Sequence, residues 1–191
     1  MVVNTKITET LYAEYLSSLI RGDRLACSGI ISRLLDESID VQVLYEQVFQ
    51  RSMYEIGEQW ESDKITVATE HLATSITESL MPLVYPRLFS REHLPRTAIV
   101  SCVADEYHQM GGRMVADIFE MNRWHGHFLG ANTPIADLQT MIMEKKPDVL
   151  ALSVSVYFNM PNLVRAIEVV RVAQPTLPIL IGGQAFQGKR I

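Results

Sequence analysis

A histidine on a glycine-ended loop is the first candidate for chemistry in this chain. His108 lies in the polar run Asp-Glu-Tyr-His-Gln-Met-Gly-Gly, residues 105–112, which follows a β-branched run from Thr97 to Val103. An imidazole can bind a metal ion or exchange a proton near neutral pH. Because helical spacing begins after the loop, the sequence predicts a strand-to-helix turn, where open α/β sheets bind ligands. The residues alone also permit an ordinary loop histidine.

Polar and glycine residues after two later strands could join the same site. They are Ser153 with Ser155, and Gly182 with Gly183. The carboxyl ends of parallel strands meet at one edge of a sheet, so we expect these residues near His108. A glycine pair lets backbone amides approach a phosphate or a flat group without an intervening side chain. A simple tight turn at the glycines, and serine hydroxyls satisfied at a strand end, remain open alternatives.

Strands and helices must alternate through the second half of the chain to position these loops. Strand-like runs begin at Thr97, His127, Val149 and Ile179, and helical spacing begins near Met110, Ile135 and Met160. This rhythm predicts a parallel sheet with helices on both faces. The sequence has room for four strands, so we expect the last strand and helix of such a fold to be missing.

The first ninety residues have the pattern of helices only. The predicted helices run from Asn4 to about Arg21, from Arg24 to Glu37, from an N-cap at Asp40 to about Trp60, and from Thr66 onward. Four helices joined by short turns are typical of a four-helix bundle. Apolar spacing places Leu25 and Trp60 on inward faces. The fourth helix mixes small and polar residues over 66–75, so we expect something other than leucines to fill that face.

Prolines mark the passage between the two halves. Pro82 and Pro86 should bend or end the fourth helix, and Pro95 precedes the first strand. The expected domains are therefore an all-α domain at residues 1–90, a linker at 91–96 and an α/β domain at 97–191.

Composition argues against several classes of function. The net charge is −5 and no lysine and arginine cluster is present, so direct binding of nucleic acid is not expected. Cys27 and Cys102 are too few for a disulfide framework or a zinc site and favour a cytoplasmic protein. No signal peptide or 18-residue apolar run indicates export or a membrane span.

Taken together, the spacings resemble the fingerprint of the cobalamin-binding domain of methionine synthases, mutases and corrinoid proteins. His108-x-x-Gly111 is followed after 41 residues by Ser153-x-Ser155, and after 26 more by the glycine pair. The resemblance implies a flavodoxin- or Rossmann-like domain in which the histidine displaces the cofactor's lower base and coordinates cobalt. It also implies that the nucleotide tail enters between the serine loop and the glycines.

The sequence departs from that family at two positions. Glu106 stands where most members have aspartate two places before the histidine, as in the light-sensing branch, and Asp105 is a possible substitute. A carboxylate bonded to the other ring nitrogen would fix the tautomer and strengthen the ligand. Ser155 replaces the family's leucine, which leaves Ser153 as the better partner for the base of the tail.

A second pattern lies in the helical half. Trp60, nine residues and then Glu70-His71 is similar to the W-x9-EH pattern in the four-helix cap of cobalamin-dependent light sensors. The resemblance implies that Trp60 shields an upper axial group, while Glu70 and His71 bond a ribose or a displaced water. Periodicity also permits Trp60 to be the last core residue of its helix. Glu61 stands where some sensors have a second cobalt-binding histidine, so no bis-histidine photoproduct is expected by that route.

Two functions follow from the resemblance. One is a non-catalytic, light-responsive regulator that holds adenosylcobalamin and changes its self-association or its binding of a protein partner. The other is the corrinoid methyl carrier of a methyltransferase, for which methylcobalamin is the form expected. The tryptophan pattern favours the regulator, and a pure binding module and a second chromophore such as biliverdin stay open. No helix-turn-helix segment precedes the cap, so we expect output through oligomerisation or another protein.

Overall fold

The computed structural model describes residues 7–89 and 92–186, and it divides the chain into two compact units, residues 1–86 and 87–191. We refer to these as the helical unit and the α/β unit. The predicted helix start at Asn4, the first linker residue at 91 and the outer ends of both predicted domains lie outside the described residues.

Four helical rods account for most of residues 7–89. The α-helices are α1 (Glu9–Ile20), α2 (Arg24–Asp36), α3 (Val41–Leu44), α4 (Arg51–Glu61), α5 (Val67–Leu80) and α6 (Tyr85–Leu88). A π-helical segment, Tyr45–Gln50, joins α3 to α4 without a break, so these three pieces form one rod. A 3-10 turn at Met81–Val84, which contains Pro82, separates α5 from α6, as the prolines predicted.

Local signals fix the ends of these rods. Each of four helix starts has a side-chain oxygen that accepts a hydrogen bond from an amide of the first turn: Thr8, Asp23, Asp40 and Thr66. Gly22 separates α1 from α2 in the left-handed conformation, with φ +74°. Among the described residues, the Thr8 cap makes α1 begin at Glu9.

The core of the helical unit confirms most of the predicted inward faces and corrects two positions. Fully buried side chains include Tyr15, Leu19, Ile31, Leu34, Leu44, Phe49 and Ile56. Leu25 is 85% exposed, because it lies about 200° around α2 from the buried Cys27 at 3.6 residues per turn. Trp60 is 41% exposed, because it occupies the last turn of α4, one turn beyond Ile56.

The α/β unit alternates strands and helices, as the sequence predicted. Among residues 92–186 these elements are β1 (Thr97–Cys102), α7 (Met110–Met121), β2 (His125–Phe128), α8 (Ile135–Lys145), β3 (Val149–Ser153), α9 (Met160–Ala173) and β4 (Ile179–Gly182). The four strands of the described part are parallel and lie in the order β2-β1-β3-β4. β2 begins at His125, two residues before the predicted start at His127.

The central strands are buried on both faces, because helices cover both sides of the sheet. On one face Ile99 and Leu150 pack with Leu138 of α8 and Leu163 of α9. On the other, Val100 and Ala151 pack with residues of α7. None of the helices in the described ranges is long and apolar enough to cross a bilayer.

Strand register brings the three predicted loops to one level. Cys102 pairs with Ser153, and Ser153 pairs with Gly182, so β1, β3 and β4 end side by side. The loops that carry His108, Ser155 and the glycine pair therefore leave the same edge of the sheet.

Candidate functional site

The loop between β1 and α7, residues 103–109, is a tight turn that we call the His108 loop. It is closed by a hydrogen bond from the Glu106 amide to the Val103 carbonyl, 3.1 Å long. Asp105 takes the left-handed conformation, with φ +64°, which aspartate tolerates better than most residues. The turn carries the chain from the buried strand to the start of α7 and leaves 64% of the His108 side chain exposed.

Glu106 is the structural centre of this loop. Its side chain is fully buried, and both carboxylate oxygens accept hydrogen bonds. Oε1 accepts from Nδ1 of His108 at 2.6 Å and from the His108 amide at 2.9 Å. Oε2 accepts from the amides of Ser155 and Val156, at 2.8 and 2.9 Å, and from Nδ2 of Asn159 at 3.1 Å. One carboxylate therefore ties the His108 loop to the loop that follows β3.

These bonds keep Glu106 ionised. Burial by itself would raise the pKa of the carboxyl, but the hydrogen bonds from His108, the Val156 amide and Asn159 outweigh it and lower the pKa from 4.5 to about 2. An ionised carboxylate can only accept, so Nδ1 of His108 carries a proton, and in the neutral imidazole the lone pair then lies on Nε2. His108 is thus held as the tautomer suited to bind a metal through Nε2.

Asp105 does not perform this role. Its side chain instead accepts a hydrogen bond from Nδ2 of Asn162 at 3.1 Å. Of the two carboxylates that the sequence left open as partners of His108, the structure has Glu106 in contact with the ring.

The glycine pair divides into two different positions. Gly183 has φ +118°, and a Cβ there would lie 2.0 Å from the carbonyl oxygen of Val154, so only glycine fits. At Gly182 a Cβ would meet no atom within 4 Å. Gly183 therefore makes the tight turn that the sequence left open, while Gly182 borders free space at the end of β4.

The serine positions also differ from each other. Ser153 is the last residue of β3 and pairs with Gly182, whereas Ser155 donates its backbone amide to Glu106. Gly111, in the first turn of α7, borders open space as Gly182 does. The next residue, Gly112, is the one that packs closely, since a Cβ there would lie 3.0 Å from the ring of Phe128.

The candidate residues of the helical unit lie at one end of a helix pair. Trp60 is in the last turn of α4, and Glu70 and His71 are near the start of α5, which follows after the short connection 62–66. Nε2 of His71 is 3.6 Å from Oε2 of Glu70, and Oε1 of Glu70 accepts from the Thr74 hydroxyl at 2.9 Å. His71 is 75% exposed. With Trp60 also 41% exposed, its alternative role as a core residue is wrong.

Sequence reasoning missed the residues that hold the His108 loop in place. Asn159 and Asn162 at the start of α9 donate side-chain hydrogen bonds to the loop. Asn132, in the loop after β2, accepts a hydrogen bond from the Asp105 amide and donates one to the Tyr107 hydroxyl. Asparagine before a helix is usually an N-cap, so its sequence signal is that of a helix start rather than of a binding site. Only the fold shows that these side chains converge on one loop.

The site has the features that a corrinoid would need. An exposed imidazole with its tautomer fixed can bind cobalt, for which a ring nitrogen is a suitable ligand. The free space beside Gly182 and Gly111 could accept a cofactor segment without a side chain in the way. The residues of this chain therefore fit cobalamin.

Family comparison agrees with this chemistry. Residues 11–85 match one family model described as a B12 binding domain, and residues 96–190 match a second with the same description. The chain belongs to the B12-binding family, and cobalamin is the ligand that this membership supports.

Two groups of relatives are similar in sequence. The chain is 30% identical over 159 residues to the HTH-type transcriptional repressor CarA of Myxococcus xanthus, covering 80% of this chain and 52% of the repressor. It is 22% identical over 180 residues to trimethylamine corrinoid protein 1 of Methanosarcina acetivorans, covering 92% and 83%. The chain thus spans about half the length of the repressor and most of the corrinoid protein.

A solved structure confirms the fold. The monomethylamine corrinoid protein of Methanosarcina barkeri superposes with a TM-score of 0.81 over 94% of this chain and 86% of that protein, at 12% identity. An N-terminal helical region followed by a four-stranded parallel sheet with helices is therefore the architecture of a corrinoid protein.

Proposed function

We propose that this chain is a cobalamin-dependent, light-responsive regulator rather than a catalyst. The observation that carries the proposal is the exposure of Trp60 at the same end of the α4–α5 pair as Glu70 and His71. An aromatic side chain that the helical core does not use is available to a ligand. The 30% identity to a transcriptional repressor supports a regulatory output.

In this proposal Nε2 of His108 would bind the cobalt of the cofactor. Glu106 fixes the imidazole, and Gly111, Ser153 and Ser155 would hold the cofactor's tail. Gly183 shapes the turn, and Gly182 leaves room for the tail. Asp105 takes no part in ligation.

Trp60, Glu70 and His71 are proposed to be the residues of the helical unit that take part in cobalamin binding. The indole supplies an apolar face, while the carboxylate and the second imidazole supply hydrogen-bonding groups. Adenosylcobalamin, when bound, would supply a cobalt–carbon bond that light can break. Loss of a contact to Trp60, Glu70 or His71 would then shift the favoured conformation of the protein.

The proposed output is a change in oligomeric state or in binding to a protein partner in the cytoplasm. A ligand can shift such an equilibrium only if it contacts the two states differently, and loss of the upper group supplies that difference. Cys27 and Cys102 are buried, unpaired thiols, as a reducing compartment permits.

A methyl carrier is the second candidate. It is favoured by the length match, because the chain covers 83% of a trimethylamine corrinoid protein. In that function methylcobalamin is the working form, the partners are methyltransferases, and Trp60 has no light-dependent role.

The test loads the protein in darkness with adenosylcobalamin or with methylcobalamin and records absorption and molar mass before and after green light. We expect a spectral change with adenosylcobalamin that is accompanied by a change in mass. His108→Ala should shift the spectrum towards that of a weaker lower ligand. His125→Ala is the matched control. His125 begins β2 and pairs with Thr97, so it lies at the amino ends of the strands, away from the edge that carries the His108 loop.

Each result decides a separate part of the proposal. A light-induced spectrum without any change in mass or in partner binding would exclude the regulator. Methyl transfer to a partner in a light-indifferent protein would establish the carrier. An unchanged spectrum for His108→Ala would remove the proposed ligand in either case.

A further inference from the structure

The outer face of α9 carries a symmetric pattern of exposed residues. The inner face of this helix packs against the sheet through three buried residues, Leu163, Ala166 and Val170. On the opposite side, within about 60° of one another at about 100° per residue, lie four exposed residues: Pro161, Arg165, Glu168 and Val172. We call these four residues the α9 stripe. In chain order the stripe is apolar, basic, acidic and apolar.

The two ends of the stripe add apolar surface that the single chain does not bury. Val172 is 86% exposed in the last turn of α9. A β-branched residue has a low helix propensity, so an exposed valine stabilises neither the helix nor the core. Pro161 lies in the first turn, where a helix tolerates proline, and its ring is exposed. Single exposed apolar residues are common, so the charges between these ends must identify the contact.

The two charged residues of the stripe are not paired within the chain. Across residues 7–89 and 92–186, neither Arg165 nor Glu168 forms an ion pair. Opposite charges three residues apart can pair on one helix, but this pair does not. The nearby Arg171, by contrast, donates to the Leu177 carbonyl and so serves its own chain. Both charges of the stripe are therefore available to another molecule.

The order of the residues makes the stripe complementary to its own reverse. Two copies of α9 in antiparallel orientation can share a two-fold axis between positions 166 and 167. Arg165 of each copy then faces Glu168 of the other, and Pro161 of each faces Val172 of the other. A two-fold interface repeats every contact, so it contains two ion pairs and two apolar contacts. A partner of different sequence would not require this symmetric order, which favours a second copy of this chain.

We propose that the α9 stripe is a self-association surface, on which two copies of this chain pair in antiparallel orientation. Pairing through this stripe requires neither light nor bound cobalamin, so it goes beyond the proposed function. The stripe extends about 16 Å along the helix, which places the contact at the small end of protein interfaces. We therefore expect a reversible dimer with a dissociation constant of about 10–100 µM.

Sedimentation equilibrium of the cofactor-free chain, kept in darkness, measures this association. We expect Arg165→Glu and Glu168→Arg each to weaken it by at least about tenfold, because either change opposes like charges at both contacts. Glu144→Arg is the matched control for the change in net charge. Glu144 is exposed on α8, outside the stripe, and its substitution should leave the dissociation constant within about twofold.

An equimolar mixture of the two weakened variants tests the antiparallel geometry itself. In a mixed dimer of Arg165→Glu with Glu168→Arg, each contact again joins a positive and a negative side chain. We expect the mixture, and also the double variant, to associate within about threefold of the unaltered chain. Glutamate and arginine are both good helix formers, so circular dichroism should show unchanged helix content in every variant.

Three results would overturn the proposed surface. They are a chain that stays monomeric at about 500 µM, a dimer that both single variants leave intact, and a mixture that does not associate. His108→Ala should leave this dimer unchanged. Loss of cobalamin binding or of the light response in that variant, with the dimer retained, bears on the proposed function alone.

Discussion

The His108 loop and the Trp60 end of the helical unit are two candidate binding regions built in opposite ways. Around His108 a fully buried carboxylate accepts five hydrogen bonds, and the donors come from two loops and a helix start. Around Trp60 the indole and the His71 side chain are exposed, and the half-buried Glu70 contacts its neighbours His71 and Thr74.

The difference shows two ways in which a binding region can be built. A permanent ligand gains from a site that is already ordered before binding, because less entropy is lost when the bond forms. A region that must respond to a change in the ligand gains from groups that are not held by the fold. The His108 loop is therefore ordered in the way that favours a ligand that stays bound, whereas the Trp60 end has fewer contacts that would resist a change.

The largest effect on stability is expected for a substitution of Gly183, which would show whether the site in the α/β unit is ordered before binding. Gly183→Ala places a Cβ 2.0 Å from the Val154 oxygen in a left-handed backbone, so we expect a loss of more than about 3 kcal/mol in the free energy of unfolding. Gly182→Ala, where a Cβ meets nothing, should change it by less than about 0.5 kcal/mol. Urea denaturation of the cofactor-free protein measures both. Equal effects would mean that the turn is not built into the fold.

A pH series tests whether the buried carboxylate stabilises the fold. Because the pKa of Glu106 is about 2 in the folded chain and near 4.5 when unfolded, its contribution is present above pH 4.5 and is lost as pH falls towards 2. We expect that loss to be about 3 kcal/mol, measured by hydrogen exchange of β1 and β3 amides.

In Glu106→Gln this part of the pH dependence should vanish. Glu70→Gln, a carboxylate of the helical unit outside this hydrogen-bond network, is the matched control for loss of a glutamate. A Glu106→Gln curve with the original slope would show that the carboxylate does not stabilise the folded state as described.

The smallest effects are expected at the Trp60 end. Trp60→Ala should cost about 1 kcal/mol of stability, because 41% of the residue is already exposed, and His71→Ala should cost less than about 0.5 kcal/mol. Phe49→Ala, at a fully buried aromatic residue of the same rod, should cost about 3–5 kcal/mol. Thermal unfolding of the cofactor-free variants measures these values. A Trp60→Ala loss as large as that of Phe49→Ala would place the indole in the core after all.

The elements themselves were predictable because their signals are local. Asp40 is the predicted and the observed N-cap, the fourth helix begins at the predicted Thr66, and the three α/β helices begin where periodicity placed them. Leu25 was placed wrongly because an apolar residue in the first turn fits a stripe by spacing alone. The exposure of Leu25 depends on which neighbours pack against α2. The sequence of one helix does not show which these are.

The site was predictable only in part. The spacing of His108, Ser153 and Gly182 identified the sheet edge, because register brings strand ends together. The choice of Glu106 over Asp105 depends on a left-handed residue and on burial, and neither has a distinct signal in this stretch. Asn159 was missed because its hydrogen bonds join residues 53 and 54 positions apart along the chain.

The π segment Tyr45–Gln50 has a consequence for the indole ten residues further on. Each π turn takes up about one residue more than an α turn, which rotates everything after it by about 100°. Continued as a plain α-helix from Val41, the rod would bring Glu55 and Gln59 to the line now held by Ile56 and Trp60. The wider hydrogen-bonded turn of the π segment thus determines whether the indole of Trp60 or the amide of Gln59 occupies this line at the end of the rod.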